Sequence, residues 1–215
     1  MKHRLYLLTF LLVFIALGLP TIAAMQQVSG LFMEGRYDDA RNSLVTSGDG
    51  ALPGEEVLWR SRLSGDPQEA AALLKGGIGD PNIPSSTRTG MALQLAQIYF
   101  SRGQYEATHS VLSPLLADAT TPIPGEAYLL AGLTLRKGGQ LQEAREMLAS
   151  VKPDDPAFST ARYFLGEISL ANNDAELALR YFESGLKNSN QSDRSRLKAG
   201  LWEAHRANGQ DREAT

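Results

Sequence analysis

The side chains able to carry chemistry are few and scattered. There are three histidines, His3, His109 and His205, and no cysteine. Without Cys there is no thiol nucleophile, no disulfide framework and no thiolate set for zinc or an iron–sulfur cluster. His109 and His205 have no carboxylate at metal-ligand spacing, and acid–base or metal sites are built from close constellations. Carboxylates pair at Asp38-Asp39, Glu55-Glu56 and Asp154-Asp155. Each pair falls near an expected helix start, where negative charge favours the helix dipole. A catalytic pair would have to flank a pocket. Gly76-Gly77-Ile78-Gly79-Asp80-Pro81 is glycine-rich but lacks the spacing of a phosphate-binding loop. It is expected to be a flexible linker, with Pro81 and Pro84 preventing helix. Asn190-Gln191-Ser192 is an acceptor sequon that matters only in a eukaryotic secretory host. The expectation is a chain that is not an enzyme and holds no cofactor and no metal.

Charge and composition narrow the classes further. The 215 residues include 21 basic and 24 acidic side chains, a formal net charge of −3, and 43% are hydrophobic. This balance excludes a basic nucleic-acid binder and a disordered chain. The N-terminus differs from the rest. Lys2, His3 and Arg4 precede an apolar run from Leu5 to Leu19, then Pro20 and the small-residue exit Ala23-Ala24. Basic start, apolar middle and small-residue exit are the three parts of a secretory signal peptide. The run is shorter than the roughly 20 residues a spanning helix needs. Residues 1–24 are therefore expected to be cleaved on export to the periplasm, leaving 25–215. An uncleaved signal segment would be the chain's membrane contact. Removing Lys2 and Arg4 takes the formal net charge from −3 to −5.

Beyond residue 24 one pattern repeats. Aligning on small residues gives Ala40, Ala70, Thr108, Ala144, Ala178 and Ala214, at intervals of 30, 38, 36, 34 and 36 residues. Five residues before them stand Gly35, Gly65, Gly103, Gly139, Asn173 and Gly209. Gly and Asn are the residues that tolerate the left-handed conformation, so each marks a helix end. Four residues after the anchors stand Leu44, Leu74, Leu112, Leu148 and Phe182. Between these marks apolar residues follow helical spacing, as in Leu93, Ala96, Tyr99 and Phe100, or Leu165 and Ile168. Leu129, Leu133 and Leu135 are read as the equivalent stripe. Gly132, Gly166, Ala144 and Ala178 would let paired helices approach closely. No segment alternates with period two between hairpin signals, so no sheet is expected. A single helix pair cannot bury its apolar face, whereas stacked pairs share one core. Trp59 and Trp202 are expected to pack between helix pairs.

The units Leu95-Ala96…Tyr99…Gly103-Gln104-Tyr105…Thr108…Leu112, Tyr128…Ala131-Gly132…Leu135…Gly139…Ala144…Leu148…Pro156 and Leu165-Gly166…Asn173…Ala178…Phe182 carry a resemblance. They resemble the tetratricopeptide repeat family, of an exported bacterial cell-envelope type. The resemblance implies an all-α fold, a right-handed superhelical solenoid of about five to six helix pairs, the last incomplete. It also implies a protein–protein interaction scaffold or adaptor in the periplasm or cell envelope, with a protein or peptide partner and no nucleic acid. First helices would line the binding groove. By position this places Gln94, Gln97 and Phe100 there, then Leu133, Arg136 and Lys137. Tyr163, Glu167 and Arg206 complete the set. The residues from Gly209 to Thr215 enter a sixth second helix. A second reading therefore makes the chain the N-terminal repeat region of a larger envelope protein, with peptidoglycan binding or hydrolysis beyond residue 215.

Overall fold

The computed structural model describes residues 23–46, 54–118, 122–187 and 189–209, and among these there is helix and no strand. The first helix, α1, covers residues 23–33. It is followed by α2 (Tyr37–Thr46), α3 (Glu55–Leu63), α4 (Pro67–Gly79), α5 (Ser85–Ser101) and α6 (Tyr105–Ala117). Then come α7 (Gly125–Lys137), α8 (Leu141–Ala149), α9 (Phe158–Ala171), α10 (Ala175–Leu186) and α11 (Gln191–Ala207). Odd-numbered helices open each pair and even-numbered helices close it. The chain divides into two compact units, Met1–Ile98 and Tyr99–Thr215. The expected signal segment lies outside the described residues apart from Ala23 and Ala24, as do residues 210–215.

The turns within pairs share one mechanism. Gly35, Gly103 and Gly139 have φ of 76°, 71° and 79°, and Asn173 has φ 58°. At Gly139 the chain makes a double closure. Its own N–H donates to the carbonyl of Arg136 (3.1 Å), and the Gln140 N–H donates to Leu135 (3.0 Å). The same two bonds form at Asn173, where Asn173 donates to Leu170 and Asp174 to Ser169, both at 2.9 Å. This is a Schellman end, which satisfies helix carbonyls and reverses the chain. Gly65 departs from the expectation: it is not left-handed. There α3 ends at Ser64 in an extended conformation, and Asp66 caps α4 by accepting from the Gln68 N–H at 2.8 Å. Pro67 opens α4, where its missing N–H costs nothing.

The anchor register is the core. Ala40, Thr108, Ala144 and Ala178 are fully buried and Ala70 nearly so. Leu74, Leu112, Leu148 and Phe182 are also inaccessible. In the first unit Met25, Val28, Ala40, Leu44 and Leu63 form one cluster, with Phe32 and Trp59 packed against it. In the second unit one cluster joins Ala144, Leu148, Val151, Phe158, Ala161, Leu165 and Ile168. Another joins Ala178, Phe182, Leu197 and Ala204. The glycines of the first helices act as expected. A Cβ at Gly132 would meet Leu148 at 2.6 Å, and one at Gly166 would meet Phe182 at 2.3 Å.

Three expectations need correction. The glycine-rich stretch is not a linker, because α4 continues through Gly79. Gly77 is buried there, and a Cβ on it would meet Met91 Sδ at 2.5 Å, so packing against α5 holds the last turn of α4 in helix. On α7 the deepest residues are Ala127, Leu130, Ala131 and Thr134, whereas Leu129, Leu133 and Leu135 are only half-buried. The close approach at Gly132 turns its small-residue flank inward. Trp202 is not packed between pairs: it is 42% exposed.

Candidate functional site

Two first helices of the second unit, α7 and α9, bring sequence-expected groove residues together. Arg136 lies in the last turn of α7, just before the Schellman closure at Gly139. Tyr163 and Glu167 are one turn apart on α9 and so share a face. Glu167 holds the other two. Its Oε2 accepts from Arg136 Nη2 at 2.9 Å, and its Oε1 accepts from the Tyr163 hydroxyl at 2.7 Å. The side chains of Arg136 and Glu167 keep 32% and 31% of their exposure. The pair is thus screened less than a surface pair, while water still reaches both groups. The Arg136 guanidinium also lies 5.2 Å from the centre of the Phe164 ring.

Tyr163 has two roles. Its ring packs edge-on against Phe164 at 5.2 Å and at a tilt against Phe182 at 6.0 Å, so it belongs partly to the core. Its hydroxyl faces the carboxylate of Glu167. Burial, then the Glu167 hydrogen bond and charge, with Glu203 adding charge, push its pKa up to about 12 against the smaller opposite effect of Arg136. The phenol therefore stays protonated at neutral pH. The cluster thus joins a neutral phenol, a paired carboxylate and a guanidinium. The cluster is suited to binding and positioning.

The remaining expected residues are spread. Leu133 is half-buried and Lys137 is exposed. Phe100 stacks edge-on against Tyr105 at 5.6 Å. Gln94 and Gln97 belong to the first unit. Gln94 Nε2 donates to Ser61 Oγ of α3 at 2.8 Å, and its buried Oε1 has no hydrogen-bond partner. Gln97 is exposed. Arg206 stacks over the Trp202 ring at 4.8 Å on α11.

Two features were missed from the sequence. From the sequence, Asp155 is only a charge near a helix start. Its carboxylate accepts the Gly125 N–H (2.8 Å) at the start of α7 and the Ala157 N–H (2.8 Å) just before α9. It tethers two first helices by their N-terminal ends, where backbone donors lack helical partners. The second is exposed Trp202, whose signal was its bulk at a position that is small in α5, α7 and α9. Of the other motifs, Asn190 of the sequon caps α11 by accepting the Asp193 N–H at 2.9 Å. His109 lies beside Ser113 on exposed surface. No group of three potential metal-ligating side chains occurs among the described residues.

Comparison with known proteins follows this architecture. Residues 93–157 match the tetratricopeptide repeat family. Solved structures are similar over most of the chain. PilF of Pseudomonas aeruginosa has a TM-score of 0.76 at 12% identity, covering 93% of this chain and 88% of that one. PilW, a widely conserved type IV pilus biogenesis factor, has a TM-score of 0.69 at 18% identity, covering 90% and 88%. MamA has a TM-score of 0.60 at 21% identity, covering 75% and 87%. No curated protein sequence matches the chain. At these identities the likeness is one of fold: an all-α array of the tetratricopeptide-solenoid type. The repeat match covers residues 93–157, and the solved structures share the fold.

Proposed function

We infer, from this tetratricopeptide-type fold, that the chain is a non-catalytic protein–protein interaction scaffold exported to the bacterial periplasm or cell envelope. Proteins of this fold bind protein partners. The observation that carries the reading is the Arg136–Glu167–Tyr163 cluster. It holds an Arg and an aromatic group in fixed geometry on adjacent first helices, with part of each still open to water. Such groups dominate binding energy at interfaces, and fixing them beforehand lowers the entropy lost on association. Lys137 and Leu133 on α7 extend that surface.

Export is supported by the basic, apolar and small-residue order of residues 1–24. Met25, the first residue after the expected cleavage point, is only 7% exposed and packs with Val28 and Ala40. The folded core thus begins where the signal segment would end. Among the described residues no helix is long and apolar enough to cross a membrane. PilW, a type IV pilus factor of the same fold, is a model for an assembly role of this kind.

The test is capture from envelope extract, followed by titration of the retained protein against wild type and an Arg136→Ala, Tyr163→Phe variant. Tyr163→Phe keeps the ring contacts with Phe164 and Phe182, so the fold is preserved. Affinity should fall by about thirtyfold, the equivalent of roughly 2 kcal/mol. Unchanged affinity removes this face from the reading. N-terminal sequencing of the exported protein should begin at Met25 or Ala24; retention of Met1 rejects cleavage.

A further inference from the structure

One guanidinium of the second unit is half-buried without an acceptor. Arg162, on α9, lies 4.3 Å from the centre of the Phe158 ring and 5.8 Å from that of Tyr181 on α10. Its Nε is buried and has no hydrogen-bond partner. Among the described residues no hydrogen bond or ion pair reaches the rest of the group either. Arg136, also half-buried, has Glu167 at 2.9 Å, and Arg162 has no such counterpart. Burial holds its pKa below the ordinary arginine value, against a smaller rise from Tyr181. It still carries its charge at neutral pH. Taking a charge out of water without pairing it costs free energy, so buried charges are normally paired. Arg162 bears that cost in the free chain.

The surroundings hold the group in place rather than neutralise it. Phe158 is buried and stands four residues before Arg162, on the same face of α9. Tyr181 is half-buried and packs against the cluster that contains Leu148, Val151 and Phe158. A Cβ on buried Gly185 would meet Arg162 Cβ at 3.1 Å, so α10 passes close to the stem. Stem and plane are thus held by α10 and two rings, and Nε is turned inward. The two Nη groups keep water contact, so the end of the fork is open. Tyr163, the next residue, points about 100° away around α9. Arg162 therefore belongs to a different face from the Arg136–Glu167–Tyr163 cluster.

We propose that Arg162 is a second docking point for a protein partner, receiving an Asp or Glu carboxylate on its two Nη groups and the apolar residue beside that acid on the ring of Tyr181. The proposal rests on the protein-binding reading above and gives it a further face. Charge sets the sign, because the guanidinium has no carboxylate of its own. Shape sets the group, because a planar fork meets the two oxygens of a carboxylate with two parallel N–H···O bonds. Magnitude favours a carboxylate over phosphate: one guanidinium balances one negative charge, and a phosphate monoester carries more. Fixing the fork beforehand lowers the entropy lost when the acid arrives.

The test follows the arginine Nε–H signals of the full chain by nuclear magnetic resonance. Probes are an end-capped 12-residue peptide with a central Glu between apolar residues, its Gln counterpart, inorganic phosphate and an anionic phospholipid vesicle. The Arg162 Nε–H, shielded by the rings, should give a resolved signal that Arg162→Met removes. The Glu peptide should shift it saturably. Arg162→Met keeps the packing of the stem and should weaken the peptide at least about tenfold. Its unfolding midpoint should be unchanged or raised, because an unpaired charge has left a half-buried position. Arg162→Lys keeps the charge without the fork and should also bind more weakly than wild type. If Arg162→Met fails to fold, Arg162→Lys carries the test, and wild-type affinity in it overturns the proposal. So does equal affinity for the Glu and Gln peptides, or wild-type affinity in a folded Arg162→Met. No shift with the Glu peptide, whether or not phosphate or vesicles give one, overturns it as well. Arg136→Ala with Tyr163→Phe should leave the Arg162 shift intact. If that variant abolishes the shift, the peptide sits on the α7–α9 face, which overturns this proposal and leaves the scaffold reading standing. Capture of the envelope partner lost in Arg162→Met but kept in that variant would support this face and remove the other.

Discussion

Phe182 packs into the space where Gly166 has no side chain: a Cβ there would stand 2.3 Å from the ring's Cε1. The same ring faces Gly200 of α11, where a Cβ would be 2.6 Å away. Phe182 is the largest residue at its register position, and the glycines of α9 and α11 make room for it. Gly166→Ala should therefore destabilise by about 1–3 kcal/mol, as overpacking of a tight contact does. Combining it with Phe182→Leu should recover part of the loss, since the smaller side chain relieves the overlap. Chemical denaturation of the two single variants and the double variant checks this. Additive effects would show that the residues do not touch.

Asn173 tests the turn. Its φ of 58° lies where Gly and Asn are at ease and other residues are strained. Asn173→Gly should leave stability within about 0.5 kcal/mol. Asn173→Val should cost about 1–2 kcal/mol. A tolerated Val would mean the turn is not left-handed in solution.

Asp155 tests the tether between first helices. Gly125 is buried, and its N–H donates to the Asp155 carboxylate. Asp155→Ala leaves that donor without a partner, a loss of about 1–3 kcal/mol. Amide exchange at Gly125 and Ala157 should accelerate in the variant. Unchanged protection would show that other groups satisfy these amides.

Tyr163 gives a pH signature. Its pKa is raised to about 12, first by burial and then by Glu167. A folded value above the unfolded one means that the contribution of this group is fully present below about pH 10. It is lost as pH rises through 12. Ultraviolet titration should show one tyrosine ionising late. Glu167→Gln should lower that value part of the way, because burial remains when the carboxylate is gone. A Tyr163 titrating near 10 in the native protein would contradict the geometry.

The repeat was legible because its signals are local. Gly103, Gly139 and Asn173 are needed by the backbone wherever a helix ends left-handed, and no partner is required to specify them. Ala144 with Leu148, and Ala178 with Phe182, could be read as buried because a narrow position beside a broad one recurs at helical spacing. Gly65 was misread because the Asp66-Pro67 cap closes the same interval by another route. Gly76–Gly79 was misread because composition alone says loop, while the fit of Met91 on Gly77 says helix.

The helices, their turns and the anchor register are readable from the residues alone, because these depend on contacts within a few residues or on one repeated pairing. The same spacing places Arg136, Tyr163, Glu167 and Arg206 on first helices. What those side chains do there follows from the packing of the helices. Glu167 binds both Arg136 and Tyr163, Asp155 spans two helix starts, and Trp202 stands in solvent under Arg206. The Arg136–Glu167 and Gly125–Asp155 contacts depend on distances between helices about thirty residues apart, which are set by packing within the second unit and leave no periodic trace in the chain.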